Sequence, residues 1–137
     1  MRTVFWDFEN NELKMIDQRR LPGKLEVVSL RMYPQVVEAI CNMTVRGAPA
    51  IGAAAAFGLA LAANGSKARD TAGLFSDLET AAKSLKSTRP TAVNLAWAVD
   101  RVMRVASNVK EVKSMDGLRK VVLAEAQKIA DEDVEIN

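Results

Sequence analysis

Two arginine–proline corners hold the residues of this 137-residue chain whose types and spacing suit chemistry. The first is Arg46-Gly47-Ala48-Pro49, which leads into sixteen residues, Ala48 to Ala63, without a charged or hydrogen-bonding side chain. Pro49 suits a first helical position, where its missing N–H would have no intrahelical partner. The amides of Ala50, Ile51 and Gly52 then fall in the first turn as free donors, and no Ser, Thr, Asp or Asn stands just before Pro49 to cap them. Gly47 lets the backbone bend closely around a ligand, and Arg46 carries a planar fork of donors. A bare helix N-terminus, with its positive dipole end, suits an anion such as phosphate.

The second corner is "STRPTAVNL", Ser87 to Leu95. Thr91 is placed to cap the helix that follows Pro90, which leaves fewer free amides. Arg89 is then the ligand-facing group, with Asn94 as a further polar contact in the first turn. Spacing alone leaves two readings of both arginines open: an anion site, or ordinary loop charges before helices that start at a proline.

Other side chains offer less. There is one cysteine, Cys41, and no histidine, so an internal disulfide is impossible and the common His/Cys metal sites lose most of their ligands. The usual neutral-pH acid–base group is also missing. Cys41 reads as a small hydrophobe on an apolar helical face beside Ile40, with nothing to activate it. Asp131, Glu132, Asp133 and Glu135 read as a solvated acidic tail rather than a metal site. Trp6 and Trp97 read as core or interface residues.

The elements that must position the two corners follow from periodicity. Thr3–Phe8 and Glu12–Asp17 flank the turn-like Glu9-Asn10-Asn11, and Leu25–Leu30 adds a third strand after a break at Leu21–Lys24, so residues 1–32 are expected to form a small antiparallel sheet. Residues 33–137 are expected to form a bundle of about five helices, giving an α+β, mainly α fold. The first starts near Tyr33 with Val37, Ile40 and Cys41 as its stripe; the second is the apolar run from about Pro49 to Ala63, stopped by Asn64-Gly65. On it Gly52, Ala56 and Ala60 share a face that permits close helix approach. The third covers roughly Asp70 to Lys86, with Leu74, Leu78, Ala81 and Leu85 inward. The fourth runs to about Ser107 on Leu95, Val99, Val102 and Ala106. The fifth covers about Asp116 to Asp133 on Leu118, Val122, Ala126 and Ile129. The closing "DEDVEIN" has the look of a cut.

Bulk composition narrows the partners. The chain is 49% hydrophobic and 26% charged, with a net charge of +2. No clustered basic stripe points to nucleic acid. The apolar run falls short of the ~20 residues that span a bilayer, and the acidic Asp7 interrupts the opening before any signal-peptide core. A soluble cytoplasmic protein is expected.

Four stretches, "NELKMIDQRRLP" (Asn11–Pro22), "VRGAPAIGAAAAFGLALA" (Val45–Ala62), "RPTAVNLAWAVDRV" (Arg89–Val102) and the closing "EDVEIN", resemble the amino-terminal region of methylthioribose-1-phosphate isomerases. Their wider superfamily includes ribose-1,5-bisphosphate isomerases and regulatory subunits of the translation-initiation guanine-nucleotide exchange factor. The resemblance covers almost the whole chain, and the pair RGAPAIG and RPTAVNL is its most specific part. It implies an amino-terminal domain joined to a larger Rossmann-like carboxy-terminal domain, with a phosphosugar held between them by Arg46, Gly47, Ala48 and Arg89. It also implies a homodimer in the full-length protein, a place in methionine salvage, and no metal or organic cofactor. The family's catalytic cysteine and aspartate belong to the carboxy-terminal domain. No catalytic residue is therefore assigned within these 137 residues, Cys41 does not match the motif, and this piece alone is expected to bind phosphate esters weakly without turnover. The alternatives are a sister isomerase acting on ribose 1,5-bisphosphate and a non-catalytic regulatory subunit.

Overall fold

In the computed structural model, which describes the backbone of residues 2–136 and the side chains of residues 2–132, Asp7 closes the first strand and builds the first turn. Its carboxylate accepts from the amides of Glu9 (3.0 Å) and Asn10 (3.2 Å) and from the Asn10 side chain (2.8 Å). Asn11 then takes the left-handed conformation (φ 53°) that Asn tolerates better than most residues. Strands β1 (Val4–Asp7), β2 (Glu12–Ile16) and β3 (Val27–Leu30) form an antiparallel sheet in the order β1-β2-β3. Trp6 lies opposite Leu13, and Leu13 opposite Leu30, so one face of the sheet is apolar and buried. A single 3-10 turn, Gln18–Arg20, follows β2 and is capped by Asp17.

Five helices follow: α1 (Tyr33–Cys41), α2 (Ala48–Gly65), α3 (Thr71–Ser87), α4 (Val93–Val109) and α5 (Met115–Ile136). The sheet followed by five helices is the architecture expected from the periodicity. Helix α2 is the axis of the molecule, since α1, α3, α4, α5 and the sheet all pack on it. Every residue from Ile51 to Ala63 is buried, which explains why α2 is apolar on all sides rather than on one stripe. It is long and apolar enough to cross a membrane, yet 72% of it is buried inside the fold, so it is a core helix. The Trp6 ring stacks on Phe57 of α2 at 5.6 Å and ties the sheet to the axis.

The stripes of α3, α4 and α5 face inward as their spacing indicates. Helix α1 does not follow its expected stripe. Its buried residues are Val36, Ala39 and Ile40, while Val37 is half-buried and Cys41 is exposed. Five of the residues from Val36 to Cys41 are apolar, so periodicity could not fix the phase; packing against α2, α3 and β3 does.

The described part of the acidic tail faces solvent, as expected, but it is paired. Asp131 pairs with Arg2 at 2.8 Å, and Glu132 takes two bonds from the Arg101 guanidinium at 2.7 and 2.6 Å. Arg101 also reaches Glu125 at 2.6 Å and lies 5.3 Å over the Trp97 ring, stapling α4 to α5. The side chains of Asp133 and Glu135 lie outside the described residues. Among the described residues no cluster of Asp, Glu, Cys or His could hold a metal ion.

Candidate anion-binding site

The loop that presents Arg46 is tied down on three sides. Asn42 ends α1, its N–H donating to the Glu38 carbonyl at 2.9 Å. Its side-chain oxygen accepts from the Thr44 amide (2.9 Å) and the Thr44 hydroxyl (2.6 Å). Met43, between them, is forced to φ 67°, left-handed backbone that costs a side-chain-bearing residue about 1–3 kcal/mol. The surrounding bonds hold it there. The Gln18 amide donates to the Thr44 carbonyl at 2.8 Å, and the Val45 amide donates to the Ala39 carbonyl at 3.3 Å. Thr44 and Val45 are buried, and the chain then emerges at Arg46, which is exposed. Among the described residues Arg46 has no hydrogen-bond partner and no carboxylate within 4.0 Å.

Gly47 makes the bend into α2 with φ 96°, a conformation that favours glycine, and a Cβ placed there would point into open space. It is the N-cap of α2 and supplies no capping side chain. Helix α2 begins at Ala48, one residue earlier than the proline suggested, and this alters the amide count. The Ile51 amide already donates to the Gly47 carbonyl at 2.9 Å and is not available to a ligand. Ala48 and Ala50 keep the free amides of the first turn, and Pro49 has none.

The second corner is barer than its sequence implies. Thr91 does not cap α4: the N-cap is Ala92, with no side-chain hydrogen bond. The Ala92 amide turns back to the Arg89 carbonyl at 2.9 Å, which pushes the helix start past Thr91. Its first-turn amides, at Val93, Asn94 and Leu95, therefore have no side-chain cap either. Arg89 is half-buried, and its Nη2 donates to the Ile40 carbonyl at 3.3 Å. The rest of its fork is unpaired by any carboxylate among the described residues.

Two ties bring the corners together. The end of α1 is shared: the Ala39 carbonyl holds Val45, next to Arg46, and the Ile40 carbonyl holds Arg89. The helix starts also touch, because an added Cβ on Gly52 of α2 would lie 3.1 Å from the Asn94 carbonyl oxygen of α4. Two uncapped N-termini, each worth roughly half a positive charge, thus lie close together, with Arg46 two residues before α2 and Arg89 in the turn that leads into α4. The arrangement can hold an anion with several oxygens by charge-assisted hydrogen bonds.

Two clefts among the described residues lie away from this corner. One, of about 240 Å³, is lined by Tyr33, Leu61, Ser66, Lys67 and Asp77 between α1, α2 and α3; a shallower one runs between Phe8 and Leu123 of α5. Sequence reasoning missed the Asn42–Thr44 latch and the exposed Val93 (79%); Trp97, read as a core or interface residue, is not in the core but 52% exposed beside it on the first turns of α4. The pair's i, i+4 spacing, off the buried Leu95–Val99 stripe, was the available signal.

Known proteins share this fold. A solved structure of 5-methylthioribose 1-phosphate isomerase from Pyrococcus horikoshii superposes with a TM-score of 0.92 at 48% identity, covering 98% of this chain and 37% of that one. A structure described as translation initiation factor eIF-2B, subunit delta, from A. fulgidus gives a TM-score of 0.89 at 44% identity, over 98% of this chain and 38% of that one. In sequence, the chain is 46% identical over its full 137 residues to a methylthioribose-1-phosphate isomerase of Desulforamulus reducens, of which it covers 39%. It spans 36–39% of the length of the curated relatives it matches. Residues 44–137, from the Arg46 loop through α5, match the initiation factor 2 subunit family, and the chain belongs to that family.

Proposed function

We propose that this chain is the amino-terminal, substrate-binding part of an aldose–ketose isomerase that converts methylthioribose 1-phosphate to methylthioribulose 1-phosphate in methionine salvage. The observation that carries the reading is the pairing of two uncapped helix N-termini with Arg46 and Arg89, which matches the dianionic phosphate of such a sugar. The names of the relatives supply the sugar and the reaction.

In this reading the chain positions and does not itself catalyse. Arg46, the Gly47 bend and the amides of Ala48 and Ala50 grip phosphate oxygens from the α2 side, and Arg89 grips from the α4 side. Fixing the phosphate orients C1 and C2 of the sugar for proton transfer between them, a contribution of proximity and orientation. The acid and base are expected from a downstream domain of the kind that makes the relatives longer. The fold suits such a partner. Helix α5 starts beside the end of α2, where the Arg119 Nε donates to the Ala63 carbonyl at 3.0 Å, and packs back along α2 toward the end bearing Arg46. A following domain would therefore be delivered to the open corner, where the exposed Val93 and Trp97 offer it an apolar footing. It would also close the site against water. A cytoplasmic homodimer that works without metal or organic cofactor completes the proposal.

The similarity to the structure named as an initiation-factor subunit supports one alternative, a non-catalytic regulatory protein that keeps the fold. An NMR time course of methylthioribose 1-phosphate with the full-length protein separates the two. Ketose appearing at a rate proportional to protein is the expected result; an unchanged aldose with folded protein overturns the methylthioribose reading in favour of the regulatory one or of the sister isomerase.

A further inference from the structure

The contact between Gly52 and α4 has a consequence for the site just proposed. Of the glycines in α2, Gly65 has open space around its missing side chain, and Gly58 faces the side-chain ends of Leu85 (3.2 Å) and Val36 (3.3 Å). Gly52 is different. Its missing Cβ faces backbone, the Asn94 carbonyl oxygen at 3.1 Å and carbon at 3.6 Å, with the Ala98 Cβ at 3.5 Å. Side-chain ends can rotate away from an added methyl, but a helix backbone can only move as a unit.

We propose that Gly52 is a positioning residue, which sets the spacing between the two halves of the phosphate site by letting the first turn of α4 close directly onto α2. The inference rests on the isomerase reading and deepens it. Asn94 is the second residue of α4, and Arg89 is bonded into the turn that starts that helix. Any shift of Asn94 away from α2 therefore carries the α4 amides and the Arg89 backbone with it. The Ala48 and Ala50 amides stay with α2, and Arg46 stays with the Asn42–Thr44 latch. A methyl on Gly52 thus widens the gap between the two sets of donors by a few tenths of an ångström, while each set remains intact. One phosphate can then satisfy one set or the other, but not both at their best distances.

The test is Gly52→Ala in the full-length protein, compared with Gly58→Ala and Arg46→Ala by steady-state kinetics and thermal melting. A misplacement of this size is expected to raise KM for methylthioribose 1-phosphate by about 10-fold, by comparison with the ~100-fold that a 1 Å error can cost. Gly58→Ala, which adds the same methyl deeper in the same helix, is expected to leave KM unchanged whatever it does to the melting temperature. A Gly52→Ala protein with a lowered melting temperature and normal KM would reduce Gly52 to packing and overturn the inference, with Arg46→Ala still raising KM. Normal KM in both Gly52→Ala and Arg46→Ala would instead overturn the site itself. If Gly52→Ala does not fold, Asn94→Gly with Gly52 retained provides the second probe. That change removes only a side chain and keeps the backbone contact, so the inference requires the helix spacing, read by a crystal structure, to stay the same, and a widened gap overturns it.

Discussion

Replacing Arg46 with alanine separates a binding role from a structural one, because the structure gives this side chain nothing to hold. It is exposed, and among the described residues it neither donates a hydrogen bond nor meets a carboxylate. Its loss should change folding stability by no more than about 0.5 kcal/mol, the usual range for a surface substitution away from special features. A charge-assisted hydrogen bond to a phosphate is worth about 1.5–3 kcal/mol. That range corresponds to roughly 10- to 150-fold in affinity, at about 1.4 kcal/mol per factor of ten. Calorimetric titration of the full-length protein with methylthioribose 1-phosphate, beside a thermal melt, reads both quantities. The expected result is an affinity lowered within that range with an unchanged melting curve. A lowered melting temperature with unchanged affinity would refute the reasoning, since it would show a folding contact where none is visible.

Four further results are expected. Arg89→Ala should lower both affinity and stability, because it also strips the Ile40 carbonyl of its partner, worth about 0.5–1.5 kcal/mol; denaturant melts that match wild type would contradict this. Cys41 should react with a thiol reagent in the native protein, since it is exposed at the end of α1, and reaction only after unfolding would place it in the core. Arg101→Met should cost about 1–3 kcal/mol in urea unfolding, because it leaves the buried Glu125 carboxylate and the exposed Glu132 without their guanidinium. Acid should destabilise the fold in a defined window. Arg31 holds the Glu12 carboxyl below its ordinary value, Arg19 does the same to Asp17, and Arg101 to Glu132. Each native pKa lies below that of the unfolded chain, so the stabilisation is complete above pH about 4.5 and is lost as pH falls through the lowered native values. Circular dichroism of unfolding midpoints that stay flat from about pH 5 to about pH 2 would contradict that linkage.

Local chemistry made much of the fold legible and tertiary geometry accounts for the misses. Asp70 caps α3 through the Gly73 amide at 2.8 Å, and Leu74, Leu78 and Leu85 are spaced so that only one face can be buried. Both features lie within a few residues and can be read from the chain. Where apolar residues run together, as from Val36 to Cys41, many phases bury a similar area, and packing on α2, α3 and β3 selects one. Caps failed for a related reason. Thr91 is a good capping residue, but the Arg89–Ala92 turn starts the helix one residue beyond the reach of its hydroxyl. The same one-residue uncertainty at α2 moved Ile51 from the free amides into the helix ladder. Long-range pairs such as Arg2–Asp131 and Arg101–Glu132 leave no mark on local pattern, so the pairing of the exposed acidic residues could not be read from the chain.

The candidate site was legible in its parts and not in its assembly. Arg46, Gly47 and Arg89 stand out because each adjoins a helix start, and a bare helix start is visible in sequence as a missing cap. That the two starts touch depends on one absent methyl at Gly52 and on two consecutive carbonyls at the end of α1. Neither is a property of the corners themselves.

The most direct measurement is a crystal structure of the full-length protein with methylthioribose 1-phosphate bound. The account predicts phosphate oxygens about 3 Å from the Ala48 and Ala50 amides, with the Arg46 and Arg89 guanidinium groups on the same phosphate. A phosphate seated instead in the cleft beside Ser66 and Lys67, with Arg46 and Arg89 left in water, would contradict it.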